Sequence, residues 1–149
     1  MKRLILSQTF PDNLGSVGLL LARLLTGSAM MLHGWQKIQA PTSWDDQMGI
    51  PPVFQALAAI AEFGGGLAWI LGLLVPLASL GVLATMLVAK FTVHASDPLV
   101  AQGGKSWEPA GLYMALAVIY FSVGPGRFSL DYLISRGSNR TVPVHADPA

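Results

Sequence analysis

The chain has no cysteine in its 149 residues, which removes disulfide exchange, thiolate catalysis, iron–sulfur ligation and cysteine–zinc sites from its chemistry. Charge is also scarce, at 11% Asp, Glu, Lys and Arg against roughly 25% in a soluble globular protein. The formal net charge is only +1, so neither nucleic acid nor an acidic substrate is the expected principal partner. The sequence lacks a phosphate-binding loop, a nucleophile motif and the close HxxH or HExxH spacing of a histidine metal site. No cofactor is evident, and any redox role must use a bound one or a partner.

What the chain has is apolar length. Hydrophobic residues make up 52% and the mean hydropathy is +0.53, which together point to lipid as the surroundings. From Leu14 to Leu32 the only charge is Arg23, and a helix from Asn13 to about Lys37 would span roughly 35 Å, enough to cross a bilayer. From Val53 to Ala89 the only charge is Glu62, but one helix there would be about 55 Å long and must fold back. Pro76 marks the break, predicting helices over Val53–Leu74 and Pro76–Ala95. A fourth helix, the shortest, is predicted from Trp107 to about Val123, with Ser106 as N-cap and Gly124-Pro125-Gly126 as its stop. Phe128–Ile134 reads as a short interfacial helix capped by Ser129. The expected fold is therefore all-α: an integral membrane four-helix bundle, up-down-up-down, with a short C-terminal interfacial helix.

Lys2, Arg3, Arg127, Arg136 and Arg140 fall on one side of this arrangement and Lys37 and Lys105 on the other, which predicts cytoplasmic termini. The outer loops then carry Asp45, Asp46 and Asp97, with Trp35, Trp44 and Trp107 as an aromatic belt. Leu4-Ile5-Leu6 is too short for the apolar core of a secretory signal, so no cleavage is expected. Residues 1–12 read as a cytoplasmic lead, 13–134 as the membrane domain and 135–149 as a polar cytoplasmic tail. In that tail the Asn139-Arg140-Thr141 sequon is a chance occurrence.

Charged residues inside a membrane span need a partner. Arg23 lies ten residues into the first helix and Glu62 nine into the second, so antiparallel neighbours are expected to pair them. Helical spacing places Arg23, Gly27, Met30, Gly34 and Lys37 near one face, and Ala58, Glu62, Gly66 and Ile70 on one stripe. Ala61 with Gly65, and the row Gly64, Ala68, Gly72, permit close helix packing; Gly64-Gly65-Gly66 could instead leave a slot for a flat ligand. At the outer end His33 and Lys37, and Lys90 and His94, are each spaced i, i+4, and Glu108 opens the fourth helix. These five are the candidate ligand or quinone site: histidines to hydrogen-bond a carbonyl, lysines to attract an anion.

Arg23…His33-Gly34…Lys37, Ala61-Glu62-Phe63-Gly64-Gly65-Gly66 with Leu71-Gly72-Leu73, Met86…Ala89…His94, Glu108, and Gly124-Pro125-Gly126-Arg127-Phe128-Ser129-Leu130-Asp131 occur in an order that resembles the DoxX family of bacterial membrane proteins. The resemblance covers roughly Leu19–Leu133, and the last motif is its most distinctive part. Gly124, Pro125, Gly126, Arg127, Ser129 and Asp131 form an inner-interface motif. The resemblance implies a multi-pass protein of the bacterial inner membrane and a link to quinone or redox systems, with quinone as a possible cofactor. It also implies a membrane or peripheral redox protein as partner, besides the bilayer and a possible second copy of the chain. A non-enzymatic scaffold or assembly factor is the alternative, and a small transporter or channel a second one.

Overall fold

The computed structural model describes residues 11–45 and 47–138. Lys2, Arg3, Asp46, Arg140, the sequon and the last part of the expected tail lie outside the described residues. Among the described residues the secondary structure is helical, without strands.

Helix α1 spans Asn13–Gln39, and its N-cap Asp12 accepts the Gly15 N–H at 2.7 Å, satisfying one of the free donors of the first turn. Helix α2 spans Pro52–Leu71. Its centre, Ile60–Gly64, is a π-helical turn between two α-helical halves. The predicted end at Leu74 is too late, because Gly72 takes φ +65° as the C-cap. Leu74, a non-glycine residue, also holds a positive φ of 50° before α3 begins at Val75.

Helix α3 spans Val75–Phe91, with Pro76 in its first turn as expected. It stops four residues short of Ala95; Thr92 is the C-cap, and the Lys90 ammonium donates to the His94 carbonyl at 3.1 Å beyond the helix end. Helix α4 spans Glu108–Val123, ending at Gly124 with φ 81°. Its N-cap is Trp107 and not Ser106, with Pro109 in the first turn. Helix α5 spans Leu130–Ser138, later than the predicted Phe128–Ile134, and Ser129 Oγ caps it by accepting the Tyr132 N–H at 3.2 Å. Two of these helices, α1 and α2, are long and apolar enough to cross a membrane; α3 and α4 are apolar but have 17 and 16 residues.

α1 packs on both halves of α2, α2 on α3, and α3 on α4. The α1–α2 contact is made by glycine. A Cβ on Gly66 would lie 2.6 Å from the Gly27 carbonyl oxygen and from the Met31 nitrogen, so nothing larger than hydrogen fits. The expected ligand slot at Gly64-Gly65-Gly66 is therefore closed at Gly66 by the α1 backbone. On α2 the buried positions Gln55, Ala59, Glu62, Gly66 and Trp69 step alternately by four and three, close to 3.6 residues per turn, with Gly65 buried beside Gly66. The predicted steps of four from Ala58 to Ile70 drift about 40° each and leave the buried face.

Trp69 is the centre of the core and is fully buried. Its indole N–H donates to Ser79 Oγ at 3.0 Å, and its ring meets Tyr120 edge-on at 4.9 Å. The Tyr120 hydroxyl lies 3.0 Å from Thr26 Oγ1. One run of contacts, Ser79–Trp69–Tyr120–Thr26, thus joins α3, α2, α4 and α1.

Candidate functional site

At one end of the helices the Gly124–Asp131 motif works as a clasp. Gly126, at φ 80°, turns the chain against Ser16 of α1. The Ser16 hydroxyl accepts the Arg127 N–H at 3.0 Å, and the Arg127 side chain donates to Asn13 at 3.2 Å. Ser129 Oγ donates to the Gly126 carbonyl at 2.6 Å, bracing the turn from inside. Asp131, only 5% exposed, then accepts the N–H groups of Leu74 at 2.8 Å and Val75 at 3.1 Å, one on each carboxylate oxygen. It thereby caps the start of α3 from 56 residues away and holds Leu74 in its left-handed conformation. Its own N–H donates to the Gly72 carbonyl at 3.0 Å.

Arg23 belongs to this clasp. The fully buried guanidinium donates from Nη1 to the Trp69 carbonyl at 3.0 Å and from Nη2 to the Phe128 carbonyl at 2.5 Å, and it lies in the field of Asp131. The expected Arg23–Glu62 pair does not form. Glycine contacts set the register of α1 on α2 by placing Gly34 beside Glu62–Phe63 and Gly27 beside Gly66–Ile70. Arg23 then falls opposite Gly72, and the eleven-residue step from Arg23 to Gly34 amounts to about 16 Å along the axis. Equal distance from each helix's own end did not mean equal depth.

Glu62 pairs instead with Lys37, Nζ to Oε1 at 2.5 Å, with the Lys37 ammonium 4.6 Å above the Trp44 ring. The indole N–H of Trp44 donates to the Gln55 carbonyl at 2.9 Å. Gln55 itself is buried and clamps the loop by donating to the carbonyls of Asp45 and Ile50. Among the described residues two buried side-chain polar atoms have no hydrogen-bond partner, Glu62 Oε2 and Arg23 Nε.

The five residues expected at one outer site divide into three local groups. Lys37 joins Glu62. Lys90 caps the His94 carbonyl and sits 5.1 Å from the Trp107 ring, while His94 Nδ1 lies 2.7 Å from Asp97. His33 and Glu108 line a third feature, a groove of about 460 Å³ between α1 and α4. Among the described residues no hydrogen bond or ion pair links one group to another, because each lysine is drawn to a local acceptor. The groove's walls are Leu25, Ala29, Leu112 and Leu116, and the His33 ring stands edge-on to Tyr113 at 6.0 Å. Neither ring nitrogen of His33, nor the Tyr113 hydroxyl, nor the Glu108 carboxylate is hydrogen-bonded within the described residues.

Residues 18–95 match the DoxX family model. Over 132 residues the chain is 30% identical to the inner membrane protein YqjF of Escherichia coli (strain K12), an alignment covering 83% of this chain and 96% of that relative. The chain belongs to the DoxX family. No solved structure matches it. The family match covers α1 to α3 and takes in Arg23, Lys37, Glu62 and His94, while Glu108 and the Gly124–Asp131 clasp lie beyond it. Several residues that organise this DoxX protein belong to none of its sequence motifs. Trp69 and Gln55 fall inside the predicted second helix and Tyr113 and Tyr120 inside the fourth, without a motif that marks any of them. The buried heptad-like steps of α2 were the one pattern that could have picked out Gln55 and Trp69.

Proposed function

We propose that this DoxX protein is a multi-pass inner-membrane protein in which α1 to α4 cross in alternating directions with both termini cytoplasmic, and that it is a quinone-binding subunit or accessory of a redox-associated membrane system. The E. coli relative is an inner membrane protein. At 17 and 16 residues, α3 and α4 measure about 25 Å, a shortfall against a 30 Å core that local bilayer thinning and flanking residues absorb at modest cost. The observation that carries the quinone reading is the α1–α4 groove, whose apolar walls open beside Leu25 and Leu112, both well exposed, and whose polar residues His33, Tyr113 and Glu108 make no hydrogen bond among the described residues. A quinone ring needs donors at its carbonyls, which histidine and tyrosine supply, and an apolar exit for its tail. In this reading a partner supplies the electrons.

Titrating the reconstituted full chain with a short-chain ubiquinone or menaquinone analogue, followed by tryptophan quenching, tests this. Saturable binding is expected, weakened about fivefold to tenfold by either His33→Ala or Tyr113→Phe, the worth of one neutral hydrogen bond. His94→Ala, in a different group, should bind normally. Absence of saturable binding, or full binding by both groove variants, would overturn the reading.

The scaffold alternative has an observation of its own: the contacts of Arg23 and Asp131 are to backbone groups of neighbouring segments, as bracing requires.

A further inference from the structure

Among the described residues nothing covers the apolar face of helix α5, whose orientation the clasp fixes. At 100° per residue Leu130, Leu133 and Ile134 fall within about 100° of arc, and they are 38%, 61% and 58% exposed. Phe128, just before the helix, is also exposed. On the other side Asp131 is buried against the α2–α3 turn and Ser129 against Gly126, so α5 cannot roll this face inward without breaking both. Two exposed arginines flank the face: Arg127 precedes the helix, and Arg136 lies beside Leu133 with its guanidinium 5.7 Å from the Tyr132 ring. The same clasp binds α5 to the first turn of α1 through Arg127, so the face sits at the level where α1 enters the membrane.

We infer that α5 is a membrane-surface docking element that inserts Phe128, Leu130, Leu133 and Ile134 among the acyl chains and holds the phosphates of anionic lipids with Arg127 and Arg136. An apolar arc bordered by arginines is the pattern of an in-plane amphipathic helix, and each arginine near an anionic surface adds attraction that a zwitterionic one lacks. The choice of an anionic leaflet rests on the cytoplasmic placement of the C-terminus proposed above. Charge complementarity selects lipid over a second copy of the chain, because two copies of this face would oppose arginine to arginine.

The test is hydrogen exchange of the α5 amides in the full chain, reconstituted in nanodiscs of phosphatidylcholine alone or with phosphatidylglycerol. Amides of α3 serve as the control for global folding. Anionic lipid should slow α5 exchange by up to about 30-fold, from two arginines. The effect should fall by half or more on a logarithmic scale in Arg136→Gln and vanish in the Arg127→Gln/Arg136→Gln double variant. Because Arg127 also touches Asn13, Arg136→Gln alone decides the matter if the double variant loses α3 protection. Equal α5 exchange in both lipids, an undiminished response in Arg136→Gln, or the same protection from inorganic phosphate in phosphatidylcholine discs would overturn the proposal. Nanodiscs offer both leaflets alike, so a wrong topology cannot mimic a negative result; reporter fusions at the C-terminus report on topology separately.

Discussion

Replacing Asp131 with alanine removes the acceptors of two N–H groups at the start of α3 while leaving the α5 backbone free to keep its own bond to Gly72. Both N–H groups bond the carboxylate at 2.8 and 3.1 Å, and the side chain is nearly buried, so solvent screens little of the loss. A hydrogen bond to a charged group contributes about 1.5–3 kcal/mol, and loss of a helix cap costs about 1 kcal/mol. These describe the same contacts and do not add in full. Asp131→Ala is therefore expected to destabilise the chain by about 3 kcal/mol. Asp131→Asn should cost about 2 kcal/mol, since one amide oxygen can still accept while its NH2 faces the second donor. The measurement is equilibrium unfolding in mixed micelles, with hydrogen exchange at Leu74 and Val75 as the local readout. Those two amides should become the fastest-exchanging of the α2–α3 turn. Asp131→Ala within about 0.5 kcal/mol of wild type, with Leu74 and Val75 still protected, would refute the capping argument.

The glycine contact offers a matched pair: Gly66→Ala should cost about 1–3 kcal/mol because its Cβ meets backbone on α1, whereas Gly18→Ala, with no atom within 4 Å, should be neutral or stabilise by up to about 1 kcal/mol, both read by unfolding in detergent. Lys37→Met should cost about 3 kcal/mol by stranding the buried Glu62, and Lys37→Met/Glu62→Gln should recover more than half of that. If the double variant is as unstable as the single one, Glu62 is held by something other than its charge partner.

The features legible in the sequence are those set by a few neighbouring residues. Pro76 at a break and Gly124-Pro125-Gly126 at a helix exit act locally, and both occur where expected. Helix ends were less legible, because α2 and α3 end early at caps supplied by Gly72 and Thr92 in contexts that composition alone does not reveal. The π-turn at Ile60–Gly64 had no sequence signal of its own. The candidate site was legible as residue types but not as partners. Arg23 and Glu62 were assigned to each other from depth, yet depth depends on helix register, and register is set where Gly27 and Gly34 meet α2. Asp131 stands out in the sequence with its motif, but its target is 57 residues away across two helices, and only the fold brings them together.

Where the hydrogen-bonding capacity of the polar residues is used up bears on the choice between bracing and binding. At the clasp, Arg23, Asp131, Ser129 and Ser16 are bonded to backbone groups, so their substitution should register as lost stability whatever the protein does. Lys37 and Glu62 serve each other, and Lys90 serves a helix end. His33, Tyr113 and Glu108 differ because they line a groove with apolar walls and their polar atoms make no hydrogen bond among the described residues. A chain that needed only to hold itself together would lose nothing by apolar residues at these three positions, since an unused polar group contributes no hydrogen bond to stability. The bracing and binding readings therefore predict opposite rankings at the same two positions. Arg23→Met with unchanged quinone affinity per folded molecule, beside His33→Ala with unchanged stability and weakened affinity, is the pattern the binding reading requires; unchanged affinity in His33→Ala and Tyr113→Phe overturns that reading and leaves bracing as the role of the clasp and of the Lys37–Glu62 pair alone.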